Sequence, residues 1–184
     1  MKLLIASDIH GDFDSAQKVV DAFHREKCDK LLLLGDILYH GPRNDLPSTY
    51  NPKAVIALLN SYKNIILCVR GNCDTEVDQM VLEFPVLADY ALLAFDDVTI
   101  FATHGHKFNT SQLPPLNTGD ILLHGHTHVQ TCTPFGDNNY YINPGSAALP
   151  KENNPRTYMT YESGEFVLKD LEGAVIWSKS INRN

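Results

Sequence analysis

Cysteine is sparse in this chain and nowhere forms a C-x-x-C pair; Cys28, Cys68, Cys73 and Cys132 stand apart. That spacing, in a chain of 184 residues, excludes a disulfide framework and fits reduced thiols in the cytoplasm. Cys28 and Cys68 are expected in or near the core. Positive charge is also short: 15 Lys and Arg stand against 22 Asp and Glu, a formal charge of −7. An acidic surface of this kind is not drawn to nucleic acid or to an anionic membrane. No apolar run approaches the roughly 18 residues of a membrane span. In "MKLLIASD", Asp8 comes too early for a signal peptide. Repeats, low-complexity tracts and long linkers are missing too, so one domain over residues 1–184 is expected.

What is present is an alternation of two patterns. "KLLIAS" (2–7), "KLLLLG" (30–35), "NIILCV" (64–69), "VTIFAT" (98–103) and "DILLH" (120–124) are short apolar runs. Such runs suit strands buried on both faces. Between the first three, apolar residues recur at helical spacing: Phe13, Ala16, Val19, Val20, Phe23, and then Val55, Ile56, Leu59, Tyr62. Asn51-Pro52 supplies an N-cap and a first helical residue for the second segment. A third helix is expected from Thr75, with Val77, Met80, Val81 and Phe84 on one face. Beyond it, "ALLAF" and "VTIFAT" around Asp96-Asp97 suggest a hairpin, and "TYMTYE", "EFVLKDL" and "AVIWSKS" a three-stranded meander. The fold class is therefore α/β, two sheets face to face with helices outside.

Polar groups gather where the apolar runs end. Asp8 and His10 follow the first, Asp36 the second, Asn72 the third, His104 the fourth, and His126 and His128 the fifth. Ligands of open α/β sheets bind beyond the strand ends, so these seven residues are expected in one cleft. Carboxylate, imidazole and carboxamide donors without thiolate suit first-row divalent ions. A shared carboxylate can hold two such ions about 3.5–4 Å apart. Gly35, Gly71 and Gly125, beside the donors, are expected to let the backbone turn.

The series D8-x-H10, G35-D36, G71-N72-C73-D74, H104-G105-H106 and G125-H126-T127-H128, with N143-P-G-S146, resembles the calcineurin-like metallophosphoesterases. The resemblance runs from Met1 to about Ser146 and favours their small bacterial and archaeal phosphodiesterase branch. It implies a four-layer sandwich of two mixed β-sheets flanked by helices. It also implies two divalent ions, foremost Mn, with Fe, Zn, Co or Ni as other choices. Asp8, His10, Asp36 and His128 would hold one ion; Asp36, Asn72, His104 and His126 would hold the other. The implied activity is hydrolysis of a small phosphodiester by hydroxide on the metal pair, without a covalent intermediate. Asp36, Asn72 and His104 would carry the catalysis. Rivals are a phosphomonoesterase or protein phosphatase, and a non-catalytic scaffold like the retromer subunit of this fold. All seven donor positions keep ligating side chains, which disfavours the scaffold.

One position departs from the wider family, where a His placed to protonate the leaving group often follows the motif Asn. Here it is Cys73, a poorer proton donor near neutral pH. The general acid is thus open, and good leaving groups are expected to matter. Arg43, the one cation of the 39–52 loop, is a candidate phosphate clamp; Tyr39 and His40 can line the same cleft. His106 is a candidate substrate contact or support for a ligand, as Cys73 is for substrate; His124 is expected to be structural and His24 exposed. Asp74 is expected to pair with Arg70 or to cap the helix at Thr75. Tyr158, Tyr161, Phe166 and Trp177 suggest sheet packing and a subunit interface, hence a possible homo-oligomer.

Overall fold

The computed structural model describes residues 1–95 and 98–181; the Asp96-Asp97 turn lies outside them. In chain order come β1 (Leu3–Ala6), α1 (Phe13–Arg25), β2 (Lys30–Leu33), α2 (Pro52–Asn60), β3 (Ile66–Cys68) and α3 (Glu76–Val81). Strands then follow: β4 (Tyr90–Ala94), β5 (Thr99–Thr103), β6 (Ile121–His124), β7 (Thr131–Phe135) and β8 (Asn139–Asn143). The chain ends with β9 (Thr157–Glu162), β10 (Glu165–Asp170) and β11 (Val175–Ser180).

Two mixed sheets result. One is ordered β11-β10-β9-β1-β2-β3, the other β4-β5-β6-β8-β7. β1, β2 and β3 run parallel, as do β5, β6 and β8, while the remaining neighbours pair antiparallel. The period-two geometry of a strand divides each apolar run between two cores. Leu4, Ala6, Leu31 and Leu33 pack against α1 and α2. Leu3, Ile5, Leu32 and Leu34 face the second sheet, meeting Ile100, Ala102, Ile121, Leu123 and Ile142. Both faces being buried, the strands have no polar phase. On the far side of the second sheet, Phe101 stacks on Tyr90 and meets Phe108 edge-on.

The first two helices begin as their sequences direct. Asp12 accepts the Ser15 N–H at 3.1 Å, and α1 buries Ala16, Val19, Val20 and Phe23. Asn51 accepts the Ala54 N–H at 3.2 Å ahead of Pro52. The third helix departs from expectation. Thr75 and Asp78 form a capping box, yet Val77, Met80 and Val81 are exposed. The helix stops at Val81, and burial passes to Leu82, Phe84 and Val86 in an extended stretch. Their two-residue spacing, not a helical face, anchors this segment to the core.

The C-terminal meander forms with turns at Ser163-Gly164 and at Glu172-Gly173. It joins the first sheet through β9 beside β1, Leu3 opposite Tyr161. Tyr158, Tyr161 and Phe166 are fully buried and so unavailable to a subunit interface; Trp177 alone of that group keeps partial exposure. Cys28 and Cys68 are buried, and all four cysteines are free. Among the described residues no helix is long and apolar enough to cross a membrane.

Candidate metal centre

The seven residues at the strand ends converge in two overlapping groups. Around Asp8, Nε2 of His10 lies 3.6 Å and Nε2 of His128 3.3 Å from the carboxylate Oδ1. Those two nitrogens are 3.3 Å apart, and His10 Nε2 is 3.8 Å from Asp36 Oδ2. On the other side of Asp36, His104 Nε2 stands 3.4 Å from the same Oδ2. Asn72 Oδ1 is 3.1 Å and His126 Nδ1 3.2 Å from His104 Nε2. Asp36 Oδ2 is thus common to both groups.

Each donor is aimed by its neighbours. His10, His104 and His128 direct Nδ1 to the backbone carbonyls of Tyr39, Leu34 and Leu149, at 2.8, 2.7 and 2.5 Å. With the proton held on Nδ1, the Nε2 lone pair faces inward, the usual arrangement of a metal-bound imidazole. The carboxylates are divided in the same way. Asp8 Oδ2 accepts from Ser7 Oγ at 2.6 Å and from the His126 N–H at 3.0 Å. Asp36 Oδ1 accepts the Cys73 N–H at 2.8 Å. Asp8 Oδ1, wholly buried, has no hydrogen bond. A buried carboxylate oxygen without a donor is costly unless a cation faces it. An ion about 2.1 Å from nitrogen and oxygen donors needs donor separations of about 3.0–3.4 Å. Five of the seven separations lie in that range, and the two from His10 to Asp8 and Asp36, at 3.6 and 3.8 Å, are slightly wider. The residues thus fit divalent ions on the unpaired oxygen and, with a small closing of His10, on distance.

The backbone is held in an unusual form here. Asp8, His10, Asp36, His126 and His128 have φ of 57°, 49°, 54°, 67° and 62°. They are half of the ten described non-glycine residues with positive φ. This conformation costs about 1–2 kcal/mol per residue, and persists where surrounding contacts over-determine it. The glycines serve a different purpose from turning alone. A Cβ on Gly71 would lie 2.1 Å from Asp36 Oδ1, and one on Gly125 1.9 Å from Ser7 Oγ. Neither has positive φ; they allow close approach, whereas Gly35, at φ 93°, does turn the chain.

Charge is concentrated as well. Burial opposes ionisation of Asp8, but His10 and His128 hold its carboxyl well below the usual range. Asp36 is likewise lowered against its burial, chiefly by His104. His104, buried beside these two acids, is raised to about 9. Two carboxylates out of water demand positive charge nearby. A matching family model, the calcineurin-like phosphoesterase superfamily domain, covers residues 1–165.

The chain belongs to that superfamily. It is 44% identical over 158 residues to phosphodiesterase YfcE of Escherichia coli strain K12, covering 86% of this chain and 85% of that one. Phosphodiesterase MJ0936 of Methanocaldococcus jannaschii is 24% identical over 156 residues, 79% of this chain and 83% of its own. The solved structure of YfcE, a phosphoesterase from E. coli, superposes with a TM-score of 0.95 at 40% identity. That match covers 99% of this chain and all of the other.

The superfamily fold places the remaining candidates unequally. A cavity of about 390 Å³ opens over the donors, and Arg43 and Cys73 line it. His106 is not in its wall; its ring lies 5.4 Å from that of His104 and 6.3 Å from that of His126. Tyr39 contributes its carbonyl to His10, and the His40 ring packs edge-on against Tyr39 and Tyr50. His24 is exposed and bonds Tyr62. His124 is buried and stacks on Tyr141 with ring centroids 4.4 Å apart. Asp74 neither caps α3 nor pairs with the Arg70 guanidinium through its carboxylate; Arg70 bonds its carbonyl instead. The Asp74 carboxylate accepts the backbone N–H groups of Asp36, Ile37 and Gly71.

Two residues of the N143-P-G-S146 motif, to which the sequence alone assigns no role, are supports. Ser146 Oγ donates to the Asp8 carbonyl, and Asn143 Nδ2 donates to the Gly125 carbonyl, tying the last motif to two ligand loops. Lys151, on the cavity wall, was missed for want of any motif around it.

Proposed function

We propose that this protein is a metal-dependent phosphodiesterase acting on a small phosphodiester. Asp8, His10, Asp36 and His128 hold one divalent ion, and Asp36, Asn72, His104 and His126 a second. The observation that carries the reading is Asp36 Oδ2 standing between two imidazole-bearing groups, with buried Asp8 Oδ1 left without a hydrogen bond. The oxygen and imidazole donor set favours manganese, with Fe, Zn, Co or Ni as further choices. Preference for diesters rests on the 44% identity to YfcE, a named phosphodiesterase. Four free cysteines suit a cytoplasmic setting.

When bound, the ion pair activates water and neutralises charge on the phosphoryl oxygens. The protein's own part is positioning. The carbonyls of Tyr39, Leu34 and Leu149 keep three imidazoles turned inward, and Ser7 and the Cys73 N–H occupy the outer carboxylate oxygens. Asn72 reaches the cavity, where its Nδ2, 3.2 Å from the Cys73 sulfur, can donate to a phosphate oxygen. Cys73 is a poor acid: burial and the adjacent Asp36 carboxylate push its thiol far above its usual range. Activity therefore depends on good leaving groups, or on a proton from water or from a side chain other than Cys73.

The test is hydrolysis of matched p-nitrophenyl mono- and diesters with Mn, Ni, Co, Zn and Mg. Asp36→Asn and His126→Ala are expected to lose at least about 100-fold in kcat/KM. Unchanged activity in both variants would sink the mechanism. Monoester turnover with silent diesters would establish the phosphomonoesterase reading instead.

A further inference from the structure

The cavity wall carries a charge pattern that the donor set does not explain. Two exposed cations line it, Arg43 from the loop after β2 and Lys151 from the segment after β8. Neither forms an ion pair among the described residues, although carboxylates outnumber cations in this chain. Lys2, Lys18, Lys63, Arg70, Lys107, Arg156 and Lys169 all have an acidic partner. Arg25, Lys27, Lys30, Lys53 and Lys179 are likewise without an ion pair among the described residues, but of these cations only Arg43 and Lys151 stand on the cavity wall, in a protein of net charge −7.

Both are anchored at the backbone. Asn44 Nδ2 donates to the His40 carbonyl at 2.8 Å and closes the turn that carries Arg43. The Lys151 N–H donates to the His128 carbonyl at 3.1 Å, and Leu149 receives His128 Nδ1, so this segment is fastened to a donor residue. The loop that carries Arg43 comes close to Cys73 at Gly41, where an added Cβ would lie 3.4 Å from the sulfur, whereas the Lys151 segment is tied to His128. Beside Gly41, Pro42 and Cys73, the rest of the wall is polar: Asn44, Asn72, Thr127 and imidazoles, with Asp36 its one carboxylate and no Phe, Tyr or Trp. A wall of that kind offers no aromatic platform for stacking a base.

We infer that Arg43 and Lys151 form an anion subsite, and that the preferred substrate is a phosphodiester whose second substituent is small and carries its own carboxylate or phosphate. This deepens the proposed function and rests on it. The phosphodiester anion itself goes to the donor cluster; the two cations take the additional charge, Arg43 with its forked guanidinium and Lys151 as a point charge.

The experiment compares three p-nitrophenyl diesters on the Mn-loaded protein, differing in the second substituent: 3-carboxypropyl, butyl and choline. The anionic ester is expected to exceed the butyl ester by about tenfold in kcat/KM, equal to about 1.4 kcal/mol. The choline ester should be the poorest, and the anionic preference should shrink as salt rises. In an Arg43→Ala/Lys151→Ala variant with an unchanged unfolding midpoint, the anionic-to-butyl ratio should fall to near one. Equal rates or a choline preference in the wild type would overturn the subsite, and a ratio surviving in the variant would overturn its assignment to these residues. Hydrolysis of none of the three would overturn the phosphodiesterase reading and the subsite with it.

Discussion

The carboxylate of Asp74 accepts the backbone N–H of Asp36 at 2.8 Å, while its two oxygens also serve Ile37 at 2.9 Å and Gly71 at 2.7 Å. A single buried side chain therefore fixes the loops after β2 and β3 against each other, and with them the carboxylate shared by both donor groups. Removing it leaves three buried donors unpaired, each worth about 1–3 kcal/mol. Asp74→Ala is expected to lower stability by about 3 kcal/mol or more in urea unfolding, and to reduce the metal retained after dialysis. Asp74→Asn, which keeps one acceptor oxygen, should lose less. A neutral effect of the alanine variant on both measurements would refute the role.

Gly125 offers a second probe of the same geometry. A Cβ there would stand 1.9 Å from Ser7 Oγ and 2.7 Å from Asp8 Oδ2. Gly125→Ala must displace Asp8, so metal content and kcat/KM are expected to fall at least about tenfold together. The circular dichroism spectrum should keep its sheet signature, because Gly125 lies beyond the end of β6.

Leaving-group dependence checks the reading of Cys73. General-acid help is commonly worth about 100- to 10,000-fold, and this thiol is pushed too high to give it. Diesters with alkyl leaving groups should be cleaved at least about 100-fold more slowly than p-nitrophenyl ones. The slope of log kcat against leaving-group pKa should be the same in Cys73→Ser. A shallow slope in the wild type would show that a proton donor has been overlooked.

Acid stability tests an interaction remote from the site. Burial opposes ionisation of Glu26, but hydrogen bonds from Lys169 at 2.6 Å and Tyr158 at 2.7 Å outweigh it and lower its pKa. A carboxyl lowered on folding adds stability above its unfolded pKa of about 4.3. That contribution is lost as pH falls through the lower, folded value. Glu26→Gln should therefore be less stable than wild type at pH 7, with the gap closing below about pH 4. A gap independent of pH would assign the effect to packing.

The convergence of the seven strand-end residues and the family were legible because each residue brings its own signal: Asp36 after Gly35, Asn72 after Gly71, paired His126 and His128. The supports were not. Asp74, Asn143 and Ser146 stand within the family motifs, but they act by hydrogen bonds to backbone groups of other loops, over separations of up to 138 residues, which no local pattern reveals. Ser7 acts on the carboxylate of the adjacent Asp8. Likewise the helical spacing of Val77, Met80 and Val81 was present, but spacing cannot show that nothing packs against that face.

By itself the sequence determined the α/β class, the short apolar strands and the side-chain types of the seven strand-end residues, because strand burial and residue type are local properties of the chain. Only the tertiary structure decided which oxygen of Asp8 and of Asp36 faces the site, which nitrogen His126 presents, and which cations remain unpaired beside it. It also decided that the last three strands extend the sheet of the first, with Tyr161 beside Leu3. Those outcomes depend on distances between residues remote in the chain, and on where each buried polar group finds its partner.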